Sequence, residues 1–267
     1  MNPFFFGSSD DPLFGIYHPP QEGRGKNRGV VICNPFGDEA IKAHRALRQL
    51  AMTLSEARMH ALRFDYYGSG DSAGEGELGR LARWVADVGD AADELKDTSG
   101  VAKVSFTGLR LGASLALLAA SGRRDLDRVA LWDPIVNGRA YLDDLQRIHE
   151  IYLAAEFPPT GPPLDRAGFT PHEIMGFPLP PELRAELEAL DLTTQELKKV
   201  RRVTLVVSTK SPQYDALADH LTAQGAEVSV EHVPVGVNWN SDETMETSLV
   251  PTEAIDAVTA ALTPRGS

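Results

Sequence analysis

The chain has 267 residues, 42% of them hydrophobic and 24% charged, with a formal net charge of −12. That is room for one large domain with a full core, or a core plus a small cap, and the charged fraction is that of a folded soluble protein. The negative balance repels phosphate backbones and argues against nucleic acid as the main partner.

The single cysteine, Cys33, excludes an intramolecular disulfide and fits a reducing compartment. The start of the chain has neither a basic n-region nor a long apolar h-region, and no apolar run approaches the ~20 residues that cross a bilayer. The expectation is a cytoplasmic protein without a membrane partner.

In chain order, Phe4–Phe6 and Leu13–Tyr17 flank the turn cluster Ser8-Ser9-Asp10-Asp11-Pro12 and predict an N-terminal antiparallel hairpin. Gly29–Cys33 is a continuous apolar run, as in a strand buried on both faces. Apolar residues at helical spacing predict a helix over 40–57. His60–Asp65 predicts a strand and Leu81–Leu95 a helix. Val101–Phe106 is a strand leading into a small-residue helix from Gly112 to Ala120, and Asp127–Trp132 is the next strand.

From about Asn137 to Lys199 the pattern changes. Strand signals stop, prolines cluster, and two helices are predicted, near Arg139–Ala155 and Pro181–Leu190. This reads as a helical cap over 137–199, inserted in a core made of 1–136 and 200–267. The alternation then resumes with a strand at Arg202–Ser208, a helix at Gln213–Gln224, a strand at Glu227–Pro234 and a closing helix at Thr252–Leu262. Such alternation builds a mostly parallel sheet with helices on both faces, and its ligands bind beyond the carboxyl ends of the strands.

The loop after the Val101–Phe106 strand carries the main signal. Gly108-Leu109-Arg110-Leu111-Gly112 has the two-glycine frame of the G-x-S-x-G nucleophile elbow, with arginine at its centre. Arginine is always protonated and has donors but no acceptor, so Arg110 cannot be a nucleophile.

With these residues the chain resembles the α/β-hydrolase superfamily, near its serine-aminopeptidase-like members. It is most similar to a branch with Gly-Leu-Arg-Leu-Gly-Ala at the elbow, found beside exosortase systems and in natural-product gene clusters. The resemblance rests on Asn34-Pro35-Phe36-Gly37-Asp38-Glu39, on Arg63 to Ser72, on the elbow, and on Leu131-Trp132-Asp133-Pro134. It implies a mostly parallel eight-stranded sheet with an inserted helical cap, and no cofactor.

The resemblance also says where a triad would lie. The acid is expected after Thr204–Val207, where Asp215 stands several residues on; Asp133 is an alternative acid position. The base is expected at Val235–Asn240, where Asn238 and Trp239 stand and no histidine does, and His232 reads as a strand-face residue. Without serine and histidine the acyl-enzyme route cannot run in its usual form. Ser69, Ser72, Ser114 and Ser208 are not at an elbow. Cys33 with His44 is a conceivable nucleophile pair, against the plainer reading of Cys33 as a buried small hydrophobe.

Arg110 then has two readings. Buried, it needs a partner, with Asp133 the first candidate and Glu39 the second. Free, it clamps a ligand carboxylate or phosphate. The backbone N–H groups of Phe36 and Gly37 hold the oxyanion-loop position and can bind an anion or carbonyl. Asp71, in the turn-rich loop after Phe64, is expected to be buried and hydrogen-bonded.

The functional expectation is a pseudo-hydrolase. It would bind a peptide, acyl or other small organic substrate under the cap, with an apolar pocket from Trp239, Phe157 and Phe177, and would work with a partner enzyme in natural-product biosynthesis. An enzyme with non-serine chemistry (a lyase, cyclase or acyltransferase) using Arg110 as oxyanion or carboxylate stabiliser is the alternative. A hydrolase or peptidase is the third.

Overall fold

The computed structural model describes residues 1–21, 27–156, 172–234, 239 and 250–263. Its main element is an eight-stranded sheet. The strands are β1 (Asn2–Gly7), β2 (Pro12–His18), β3 (Arg28–Cys33), β4 (His60–Phe64), β5 (Lys103–Leu109), β6 (Leu126–Trp132), β9 (Arg202–Val207) and β10 (Glu227–His232). Their order is β1-β2-β4-β3-β5-β6-β9-β10. β1 and β2 form the antiparallel hairpin expected from the Ser8–Pro12 turn, and β2 runs antiparallel to β4. All other pairings are parallel.

Among the described residues the α-helices are α1 (Asp38–Glu56), α2 (Leu81–Ser99), α3 (Leu111–Ala120), α4 (Gly138–Glu156), α5 (Pro181–Ala189), α6 (Pro212–Ala223) and α7 (Thr252–Leu262). The sheet separates two apolar layers. One joins α2, α3 and the inserted segment to one face, through Trp84, Leu95, Phe106, Leu117, Tyr141 and Leu183. The other packs α1 and α7 on the opposite face, through Val30, Leu47, Leu54, Trp132 and Val258. β3 and β5 therefore bury both faces, and their continuous apolar sequences follow from that. The central helix α3 is buried nearly all round, so it has no polar stripe.

Between β6 and β9 the described residues contain α4 and α5 as expected, and also a short antiparallel pair, β7 (Glu173–Ile174) with β8 (Phe177–Pro178). Met175 and Gly176 connect the pair, both with positive φ (51° and 81°), as a tight two-residue hairpin turn needs. Two-residue strands leave no alternation to read, which is why the sequence reads as strand-free there. The hairpin sets Phe177 over Gly37 and Pro178 over Gly76.

Candidate functional site

The elbow is built as its glycines require. Arg110 has φ 56° and ψ −124°, a strained turn between β5 and α3. A Cβ on Gly112 would come 2.3 Å from the Asn34 carbonyl oxygen, and one on Gly108 2.5 Å from Gly112. Glycine is thus needed for α3 to pass this close to β3 and β5. The turn is held by the Arg110 N–H donating to the Trp132 carbonyl (3.0 Å) and by the Ala113 N–H donating to the Arg110 carbonyl (3.0 Å).

The Arg110 side chain turns toward the start of α1. Its Nε donates to Glu39 Oε1 at 2.9 Å, and Glu39 Oε2 accepts from the Tyr141 hydroxyl, also at 2.9 Å. The Arg110 guanidinium also lies over the Tyr141 ring, 5.6 Å from its centre. Glu39 is 1% exposed, and the Arg110 side chain 19%. Burial by itself lowers the Arg110 pKa, but the Glu39 carboxylate and Tyr141 more than offset this, so the net shift is upward and the cation is retained.

Asp133 is not the ion-pair partner. Its backbone has φ 44°, and its two oxygens accept from the Ser208 N–H (2.7 Å) and the Ser208 hydroxyl (2.5 Å). With both oxygens bonded, it tethers β6 to the loop after β9 instead. Burial raises its pKa, and the two Ser208 bonds only partly counter that. Tyr214, in the first turn of α6, feels the same surroundings, and burial followed by the Asp133 charge pushes its phenol up to about 12.

Other residues fall in less reactive settings. Cys33 is fully buried, and burial pushes its thiol up to about 12, which leaves no thiolate for attack. His44 is on the outward side of α1, as is Asp215 on α6, and His232 is exposed on the edge strand β10. Ser114 donates to the Ile135 carbonyl (2.7 Å), and Ser69 and Ser72 donate within the loop after β4. Asp71 is exposed, contrary to expectation. The organising carboxylate of that loop is Asp65, which accepts from the Asp71 N–H (3.1 Å) and from Asn34 Nδ2 (3.3 Å).

Trp239 is also placed differently from the expectation. It is 5% exposed and packs edge-on against Trp132, 5.7 Å between ring centres, in the apolar layer with α1 and α7. Asn238 and Phe157 lie outside the described residues.

A cavity of about 960 Å³ runs across the carboxyl ends of β3 and β4. Phe36, Trp84, Leu111, Leu115 and Phe177 line its apolar side, and Gly37 forms part of its wall. Arg110, Glu39, Asp133 and Trp239 do not line it. A lining residue that motif reasoning does not single out is Arg63. It sits in β4 among buried apolar neighbours and lines the cavity from the α1 side. A charge inside an apolar strand was the signal that could have found it.

Among the described residues, no three His, Cys, Asp or Glu side chains converge as metal ligands would, and no helix is long and apolar enough to cross a membrane.

No family model and no curated protein matches the chain. Solved structures do. Est1E from Butyrivibrio proteoclasticus, solved with ferulic acid bound, superposes with a TM-score of 0.63 at 18% identity over 97% of each chain. The Pyrococcus furiosus esterase PF2001 gives 0.63 at 15% identity, over 98% of this chain and 89% of the esterase. This chain has the α/β-hydrolase fold. The bottromycin epimerase BotH, solved with bottromycin A2, is similar too, with a TM-score of 0.58 at 18% identity over 98% of this chain and 100% of BotH. At these identities the likeness is one of α/β-hydrolase architecture.

Proposed function

We propose that this protein is an α/β-hydrolase-like pseudoenzyme that binds a peptide or small organic ligand in the cavity across β3 and β4, as an accessory protein in a natural-product pathway of the cytoplasm. Residues 137–199 act as its cap, closing the cavity through Phe177 and Pro178. The observation that carries this reading is the ion pair of Arg110 with Glu39. It puts a bonded cation where acyl transfer needs a hydroxyl and a neighbouring base. The pair acts as a lock between the elbow and α1, and leaves the Phe36–Gly37 loop free to face a ligand. The likeness to BotH, a protein solved with a natural product bound, supports the choice of pathway.

Fluorophosphonate labelling tests the proposal. The wild-type protein is expected to stay unlabelled while a serine esterase control labels. Labelling at one serine overturns it.

A further inference from the structure

Among the described residues, Arg63 is a buried cation with no carboxylate in ion-pair contact. It is 6% exposed, and its Nε donates to His18 Nε2 over a long 3.4 Å. His18 is itself buried and stays neutral, so it offers a dipole and no charge. Asp65 is the nearest source of negative charge, but its oxygens take the bonds from Asn34 and Asp71, and among the described residues no carboxylate lies within ion-pair distance of Arg63. The two Nη atoms have no hydrogen-bond partner among the described residues and keep accessible surface where Arg63 lines the cavity. A guanidinium so placed is costly unless something pairs with it. Arg45 of α1 also borders the cavity, and burial lowers the pKa of the neighbouring His44.

We infer that the cavity binds an amphipathic carboxylate, with the anion held in the fork of the Arg63 Nη atoms and the apolar body against Phe36, Trp84, Leu115 and Phe177. The inference rests on the ligand-binding reading above and names its ligand class. A planar carboxylate matches the two parallel donors of a guanidinium. A phosphate dianion fits less well, because Asp65, Asp71, Glu75 and Glu77 share the wall and repel a second negative charge. The carboxylate can be a peptide C-terminus or that of a small organic acid.

Isothermal titration of the full chain with two matched pairs tests this. One pair is 4-phenylbutyrate and 4-phenylbutyramide, and the other is N-acetyl-Phe-Phe with a free or an amidated C-terminus. In the wild type each acid is expected to bind about tenfold tighter than its amide, the margin of one charge-assisted bidentate contact. Preference in one pair alone supports the inference and identifies the source. In Arg63→Gln the acid is expected to fall to the affinity of the amide, with the amide unchanged. Arg63→Lys keeps the charge without the fork; it is expected to lose about threefold for the acid and serves if glutamine prevents folding. Equal binding of acid and amide by the wild type overturns the Arg63 inference alone. An undiminished preference in Arg63→Gln, or in Arg63→Lys where only that variant folds, does the same. If neither member of either pair binds, the ligand-binding reading fails and this inference with it.

Discussion

Glu39, in the first turn of α1, holds Arg110 at the elbow through a 2.9 Å ion pair while its other oxygen accepts from Tyr141. One carboxylate thereby joins α1, the β5–α3 turn and α4. Removing one member strands the other, and breaking a buried pair this way costs about 3–5 kcal/mol. Glu39→Leu and Arg110→Met are each expected to lower stability by this order in urea unfolding. The double variant is expected to lose well under the sum of the two, because neither charge is then left alone. Additive losses count against the lock.

Restoring the hydroxyl is not expected to restore catalysis. In Arg110→Ser the new side chain faces Glu39 and Tyr141, the chain has no histidine after His232, and Asp133 is bonded to Ser208. Fluorophosphonate should leave Arg110→Ser unlabelled, as the wild type. Labelling at position 110 shows that a general base is in reach after all.

His18 sets part of the acid stability. Burial first, and then the charge of Arg63, lower its pKa from 6.5 to about 4. The folded protein therefore holds the imidazole neutral at pH values where the unfolded chain already takes a proton. Stability from this group is full above 6.5, is lost as pH falls from 6.5 toward 4, and changes no further below that. His18→Gln can still accept from Arg63 but does not titrate. Its urea midpoint is expected to fall less than that of the wild type between pH 7 and pH 4.5. Equal falls remove His18 from the account.

Trp239 is a core residue of the α1–α7 layer and is not part of the cavity lining. Trp239→Ala is expected to cost about 3–5 kcal/mol of stability, the range for emptying a buried aromatic site. The affinity for 4-phenylbutyrate should not change in the folded variant. A selective loss of binding places Trp239 in the site.

Gly112 allows no side chain, since a Cβ there would come 2.3 Å from the Asn34 carbonyl oxygen and 2.4 Å from that of Cys33. Gly112→Ala is expected either to yield no folded protein or to lower the thermal midpoint by more than 10 °C, a loss on the order of 3 kcal/mol or more. A midpoint within about 2 °C of the wild type overturns the steric account.

By itself the sequence determined the strands of the main sheet and the helices packed on it, because each is a local pattern long enough to read, as the two-residue strands β7 and β8 are not. The apolar run of β3, the spacing along α1 and α2, and the paired glycines at Gly108 and Gly112 state their own geometry, and the α/β-hydrolase fold follows from their order. It also determined that the elbow has no nucleophile, since Arg110 stands there whatever surrounds it. Tertiary structure decided which groups meet. Asp133 and Glu39 were both near enough to be candidates for Arg110. A positive φ turns the Asp133 carboxylate to Ser208, and the first turn of α1 aims Glu39 at the guanidinium. The same holds for Trp239, for Asp65 in place of Asp71, and for Arg63. Pairing depends on side-chain direction and on what other elements leave vacant, and neither is written in spacing along the chain.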